Sequence, residues 1–393
     1  MTNHTPHSER TNIALFGRCN SGKSSLINAL TAQATAIVSD EAGTTTDPVI
    51  KAIEITGVGA SIIIDTAGFD DTTPLGVERT AKTLKMLERT DIAIVLFTDA
   101  EPSVEAEWME KMRKRNISII AVLSQCDRYA DSKTLAAEIE QKSGLKPICI
   151  SSHTGEGLDE LRAAILATAK SEERLLTEGF CAAGDTVLLV MPQDEQAPKG
   201  RLIKPQVQTL RELLDRGCNA FCCTAEGMES ALKALATPPQ LIITDSQVFD
   251  KVYKLKPETS VLTSFSVLFA RYKGDIDLFV EGAKQMLALP ATARILIAEA
   301  CTHTPQNEDI GRVKLPRLLR RKLGEELQIE VVGGNDFPED LTPYDLVIHC
   351  GACMFNRRHV MSRVVRAEQQ KIPITNYGIA IAALMGILDK VKY

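Results

Sequence analysis

The segment that most constrains this chain runs from Ile13 to Leu30. Ile13-Ala14-Leu15-Phe16 is a short apolar strand, Gly17-Arg18-Cys19-Asn20-Ser21-Gly22-Lys23-Ser24 is a glycine-bracketed turn, and Leu26 to Leu30 continue as a helix. A strand that enters such a turn and leaves as a helix builds a phosphate-binding loop. Its glycines let backbone N–H groups close around phosphate oxygens, and the helix N-terminus adds a positive dipole. Gly17, Asn20, Ser21, Gly22, Lys23, Ser24 and Ser25 are therefore expected to hold a nucleotide, with Lys23 on the outer phosphates and the Ser24 hydroxyl on Mg2+.

A second phosphate motif follows on another strand. Ile62-Ile63-Ile64 leads into Asp65-Thr66-Ala67-Gly68, where Asp65 suits the magnesium shell and the Gly68 N–H suits a third phosphate. Between the two lies Gly43-Thr44-Thr45-Thr46-Asp47, a polar loop able to place a threonine hydroxyl on the metal only when a triphosphate is bound, which is switch behaviour. The catalytic set expected of the site is Lys23, Asp65 and Gly68, with one threonine of Thr44 to Thr46. The base-recognition strand, Ile117 to Leu123, runs into Ser124-Gln125-Cys126-Asp127. Asp127 can accept from the guanine N1 and N2 hydrogens, which adenine lacks, and Ser151-Ser152-His153 after the strand Pro147 to Ile150 fits the last base-contacting loop. GTP is the expected nucleotide.

With 393 residues, the chain exceeds one ordinary core at about 100 to 200 residues per domain. Three domains are expected, over residues 9–171, 179–264 and 270–393, giving a P-loop domain followed by two smaller α/β domains with mainly parallel sheets. Composition, 44% hydrophobic and 24% charged, is that of a globular protein without a bilayer-spanning run. Met1 to Thr11 lacks an apolar signal core, so a cytoplasmic address is expected. The net charge of -6 argues against bulk nucleic-acid binding.

The middle segment alternates strands, Thr186 to Met191, Asn219 to Cys223 and Gln240 to Thr244, with helical patterns and holds no catalytic constellation. A small sheet has edges that must be covered or paired, so this segment is read as an oligomerisation surface. Beyond Asp275 the pattern repeats. Strands Arg294 to Ala300 and Asp345 to Ile348 lead to Cys301-Thr302-His303 and His349-Cys350-Gly351-Ala352-Cys353, forty-five residues apart. Ligands gather outside the carboxyl ends of parallel strands, so the two segments can converge. Ten cysteines in a reducing compartment make clustered thiols metal or redox candidates. On residues alone Cys301, Cys350 and Cys353 suit a 4Fe-4S cluster with one exchangeable iron, a zinc site of three cysteines and a histidine, or no metal.

The first 170 residues resemble the tRNA-modification GTPase TrmE and Era. That resemblance implies that Asn20 helps bind K+, that Thr45 senses the metal, and that no glutamine positions the water, since Phe69 follows Gly68. The whole pattern resembles the FeFe-hydrogenase maturation GTPases, the HydF family. This implies a GTP-hydrolysing carrier that binds a 4Fe-4S cluster and delivers a diiron precursor to the FeFe-hydrogenase apoprotein. It further implies a homodimer or higher oligomer, the radical maturases HydE and HydG as partners, Cys301, Cys350 and Cys353 as cluster ligands, and His303 or His349 as a labile fourth ligand or second shell. The alternative is a tRNA-modification or ribosome-assembly GTPase with a structural zinc.

Overall fold

The computed structural model describes residues 10–32, 39–41, 49–70, 74–171, 174–192, 202–300, 310–334, 336–352 and 355–393. Contacts divide the chain into two compact units, Met1–Glu173 and Arg174–Tyr393.

In the first unit the described elements are β1 (Thr11–Gly17), α1 (Lys23–Ala32), β2 (Ser39–Glu41), β3 (Val49–Ile55), β4 (Gly59–Asp65), α2 (Pro74–Leu87), β5 (Ile92–Phe97), α3 (Ser103–Arg113), β6 (Ser118–Ser124), α4 (Ser132–Ser143), β7 (Ile148–Ile150) and α5 (Leu158–Ser171). They form a seven-stranded sheet in the order β2-β3-β4-β1-β5-β6-β7. The β2–β3 and β3–β4 pairs are antiparallel and the rest parallel. Strands at the centre of a parallel sheet bury both faces, and this explains the unbroken apolar runs of β1 and β5. One face packs Leu15, Leu26, Ile63 and Leu161; the other packs Phe16, Ile64, Trp108 and Met109. The register places Leu15 beside Asp65 and Gly17 beside Leu96, so the carboxyl ends of β1 and β4 lie side by side.

The second unit carries two all-parallel sheets of four strands each. The first is built from β8 (Thr186–Val190), α6 (Lys204–Asp215), β9 (Asn219–Cys223), α7 (Met228–Ala234), β10 (Leu241–Thr244), α8 (Phe249–Leu255) and β11 (Val261–Ser264), in the strand order β11-β10-β8-β9. Helices α9 (Phe265–Lys273) and α10 (Ile276–Leu287) lead to the other sheet. That sheet comprises β12 (Arg294–Ala298), α11 (Leu315–Leu323), β13 (Gln328–Val332), β14 (Leu346–His349), α12 (Arg357–Gln369), β15 (Ile374–Asn376) and α13 (Tyr377–Leu384), in the order β13-β12-β14-β15.

One apolar core joins these two sheets, since Leu188, Ile242 and Phe249 cluster with Ile295, Leu296 and Val347. Helix α9 serves both sides of the smaller domain: Phe265 and Leu268 belong to the core on one face of the β8 sheet, Val267 and Ala270 to the shared one. The expected strands and helices are present here, with β11 and α9 added. Both fall around the expected 264/270 domain boundary. Ser264 caps α9 by accepting from the Val267 N–H, so the helix follows β11 without a linker.

Candidate functional site

The loop between β1 and α1 has the geometry of an anion cradle. Gly22 takes φ of 89° and Asn20, a non-glycine, φ of 59°; asparagine tolerates this left-handed region better than most residues. Lys23 is buried, and its Nζ donates to the carbonyls of Gly17 at 3.1 Å and Arg18 at 2.8 Å. Burial holds its pKa below the ordinary value against the opposing pull of Asp65. The Ser24 hydroxyl donates to Asp65 Oδ2 at 2.6 Å, so the two residues expected to share a Mg2+ shell are in contact. Ser25 is exposed on the first turn of α1.

Asp65-Thr66-Ala67-Gly68 packs directly on the loop. Thr66 Oγ1 donates to Leu15 O at 2.6 Å, and the Phe69 N–H donates to Gly17 O at 3.2 Å. A Cβ on Gly68 would lie 2.4 Å from Cys19 Sγ and 2.7 Å from its backbone nitrogen, so no larger residue fits without moving the loop. Phe69 turns its ring onto Trp108 of α3, centroids 4.6 Å apart at 15°. Arg18 ties the loop to the same helix: its Nε meets Glu105 Oε1 at 2.9 Å while Nη1 meets Asp99 Oδ2 at 2.9 Å.

Strand β6 is bound to the loop by side chains at its carboxyl end, within the segment expected to recognise the base. Ser124, at the end of β6, donates through Oγ to Ser21 O at 2.7 Å. Gln125 Nε2 donates to Asn20 O at 3.0 Å, and Arg128 donates to Gln125 Oε1 at 2.7 Å. Exposed Asp127 accepts a hydrogen bond from Ser151, which holds its carboxyl below the usual range. Ser151 is buried and Ser152 partly so. The structure therefore brings Gly17, Asn20, Ser21, Gly22, Lys23, Ser24, Asp65 and Gly68 to one end of the sheet, with Asp127 and Ser151 paired beside them. Thr45 lies outside the described residues.

In the second unit β12 and β14 are neighbours, with Ala298 beside His349, and Cys350 N donates to Ala298 O at 2.9 Å. Cys350 Sγ accepts from the Ala300 N–H at 3.1 Å and from Ala352 N at 3.4 Å. Hydrogen bonds from flanking amides suit a thiolate, and Ala300 immediately precedes Cys301 in the sequence, so the chain entering Cys301 meets the turn that carries Cys350. Buried Lys273, at the end of α9, fixes the turn by donating to Ala352 O at 2.7 Å and Phe355 O at 2.9 Å.

His349 is wholly buried. Its Nδ1 lies 2.7 Å from Cys350 O and its Nε2 3.2 Å from Nη1 of buried Arg363. A guanidinium only donates, so Nε2 accepts and Nδ1 carries the proton. Burial, reinforced by the Arg363 charge, pushes the imidazole pKa down to about 3. With both nitrogens engaged, His349 orients the turn; to ligate iron it would first have to release Arg363. Cys301, His303 and Cys353 lie outside the described residues, and among the described residues no three His, Cys, Asp or Glu side chains group to hold a metal. Lys273 and Arg363 carry no motif; their only sequence signal is a basic residue within an otherwise buried helix face.

Three family descriptions match successive parts of the chain. Residues 12–125 match the 50S ribosome-binding GTPase family, residues 176–274 the hydrogen maturase F dimerization domain, and residues 277–392 the hydrogen maturase F tetramerization domain. The tRNA modification GTPase MnmE of Azoarcus sp. (strain BH72) is 32% identical over 229 residues, which is 57% of this chain and 44% of that protein. GTPase Der of Campylobacter concisus (strain 13826) is 36% identical over 143 residues, 34% of this chain and 30% of that protein. The chain thus spans less than half the length of these curated relatives. Among solved structures, an Aquifex aeolicus Era variant bound to GDP.AlF4- is 20% identical and covers 64% of this chain and 99% of that one, at a TM-score of 0.35, too low a likeness to argue from.

Proposed function

We propose that this chain, which belongs to the hydrogen maturase F family, is a GTP-hydrolysing scaffold that binds a 4Fe-4S cluster and delivers a diiron precursor to apo FeFe-hydrogenase. GTP hydrolysis follows from a GTPase domain whose Lys23, Ser24, Asp65 and Gly68 occupy one end of the sheet, with Thr45 completing the metal shell. Asp127 reads guanine and Ser151 with Ser152 closes the base pocket. Asn20, exposed at the mouth of the loop, is the residue that would serve K+.

The observation that carries the second half of the reading is the Ala300 N–H bond to Cys350 Sγ at 3.1 Å. It ties the segment entering Cys301 to the segment entering Cys353, so three thiolates can come from one corner of the β12 sheet. A 4Fe-4S cluster held by three cysteines supplies an iron with an exchangeable position, which suits a carrier that must later release its cargo. His303 is the first choice for that position; His349 acts from behind Cys350.

The dimerization and tetramerization domains make the chain a homo-oligomer. In the β8 sheet, β9 is an edge strand, with Phe221 46% exposed, and the adjoining α6 exposes Val207 at 50% and Leu214 at 57%. An apolar edge of this kind is suited to pairing with a second copy. HydE, HydG and the hydrogenase are the remaining partners, in the cytoplasm; among the described residues no helix is long and apolar enough to cross a membrane.

Anaerobic reconstitution followed by iron and sulfide analysis tests the cluster. Four irons per chain, lost in Cys301→Ser, Cys350→Ser and Cys353→Ser, are expected. Bound zinc with no cluster spectrum would sink the reading and favour the tRNA or ribosome GTPase with a structural zinc.

A further inference from the structure

Hydrolysis at a site of this type needs a group that orients the attacking water, and the residue after Gly68 offers none. Phe69 has no polar atom on its side chain, and its ring is held away against Trp108. The next residue is placed differently. Asp70 Oδ1 accepts from the Cys19 backbone N–H at 2.6 Å, so its carboxylate stands on the phosphate loop itself, beside the Gly68 backbone that packs on Cys19. Partial burial would raise its pKa, but the Cys19 hydrogen bonds and the Lys23 charge outweigh it, and the group lies below the ordinary carboxylate value. Asp70 is therefore ionised at neutral pH, and a carboxylate of two oxygens can accept from more than one donor.

We propose that Asp70 supplies the carboxylate that orients the attacking water, taking the task that Phe69 has no atom to perform. The Phe69–Trp108 stack and the Phe69 N–H bond to Gly17 O fix the turn from which it projects. The water oxygen bonds to the terminal phosphorus as the bond to the bridging oxygen breaks. The electron pair leaves with the nucleoside diphosphate, the water protons end on inorganic phosphate and solvent, and Asp70 is unchanged.

This rests on the GTPase reading, and the experiment separates the two. Steady-state hydrolysis and fluorescent-nucleotide affinity are measured on the full chain with Mg2+ and K+, for wild type, Asp70→Asn and Asp70→Glu. Emission of Trp108, the single tryptophan, reports the state of the turn. Asp70→Asn is expected to lower kcat about 100-fold. KM, GTP and GDP affinity and Trp108 emission should stay within about twofold of wild type, and Asp70→Glu should recover part of the rate. An Asp70→Asn protein that hydrolyses at the wild-type rate overturns the proposal while leaving the GTPase reading intact. So does one that binds GTP more tightly without losing kcat, since Asp70 would then be a rival of the third phosphate. A wild-type chain that binds no nucleotide or releases no phosphate overturns both.

Discussion

Ser124 Oγ donates to the backbone carbonyl of Ser21 at 2.7 Å, with both residues buried. That bond crosses from the strand that leads to Asp127, the proposed guanine reader, to the proposed phosphate loop, so it ties the two halves of the proposed nucleotide site together. Ser124→Ala leaves the Ser21 carbonyl short of a buried partner, at a cost of about 1–2 kcal/mol. GDP affinity is expected to fall about tenfold, measured by titration with a fluorescent nucleotide, while Mg2+ dependence is unchanged.

Ser24 and Asp65 meet at 2.6 Å without any other group between them. Ser24→Ala removes one expected oxygen from the magnesium shell and leaves the loop backbone in place. The Mg2+ concentration giving half-maximal hydrolysis should rise about ten- to 100-fold, with GDP binding in the absence of metal nearly unchanged.

Lys273 donates to two carbonyls of the turn after β14 from a buried position. Lys273→Met keeps the stem and strands both acceptors, a loss of about 2–4 kcal/mol. A thermal melt should show the second unit unfolding roughly 5–10 °C lower, and reconstituted protein should retain less iron after desalting than wild type.

Phe221 and Leu214 form the exposed apolar part of the β9 edge and the helix beside it. Phe221→Asp places a charge where two edges would meet and should weaken self-association about 100-fold. Light scattering after size exclusion checks this: the smallest oligomer should shift toward monomer, with GTP hydrolysis per chain preserved.

The elements around the proposed nucleotide site were legible because each carries its own period or punctuation. The run Ile13 to Phe16 ending in glycine, and Ile62 to Ile64 ending in Asp65, state both the strand and the side of the sheet where it stops. Strand β9 was equally plain, Asn219 to Cys223 in sequence and structure alike. By contrast α9 buries Phe265 and then Val267, Leu268, Phe269 and Ala270 in a row, so no amphipathic stripe marks it as a helix. Its two neighbours in space, not its sequence, dictate that composition. Strand β11 has only Val261 and Leu262 before the polar Thr263 and Ser264, so it lacks the apolar run Leu241-Ile242-Ile243 that marks β10. The roles of Ser124, Gln125 and Asp70 were hidden for another reason: each acts through a hydrogen bond to the loop backbone more than 50 residues away, which no local pattern encodes.

Helix α9 begins where β11 ends and finishes in the lysine that holds the turn beyond Cys350. A single stiff rod about 13 Å long, at 1.5 Å per residue, thus spans the distance from the sheet with the open edge to the thiol-bearing corner. The two ends of that rod cannot be displaced separately. If the β8 sheet joins copies of the chain and the Cys350 corner holds cargo, as proposed above, a single helix links the parts that perform the two tasks.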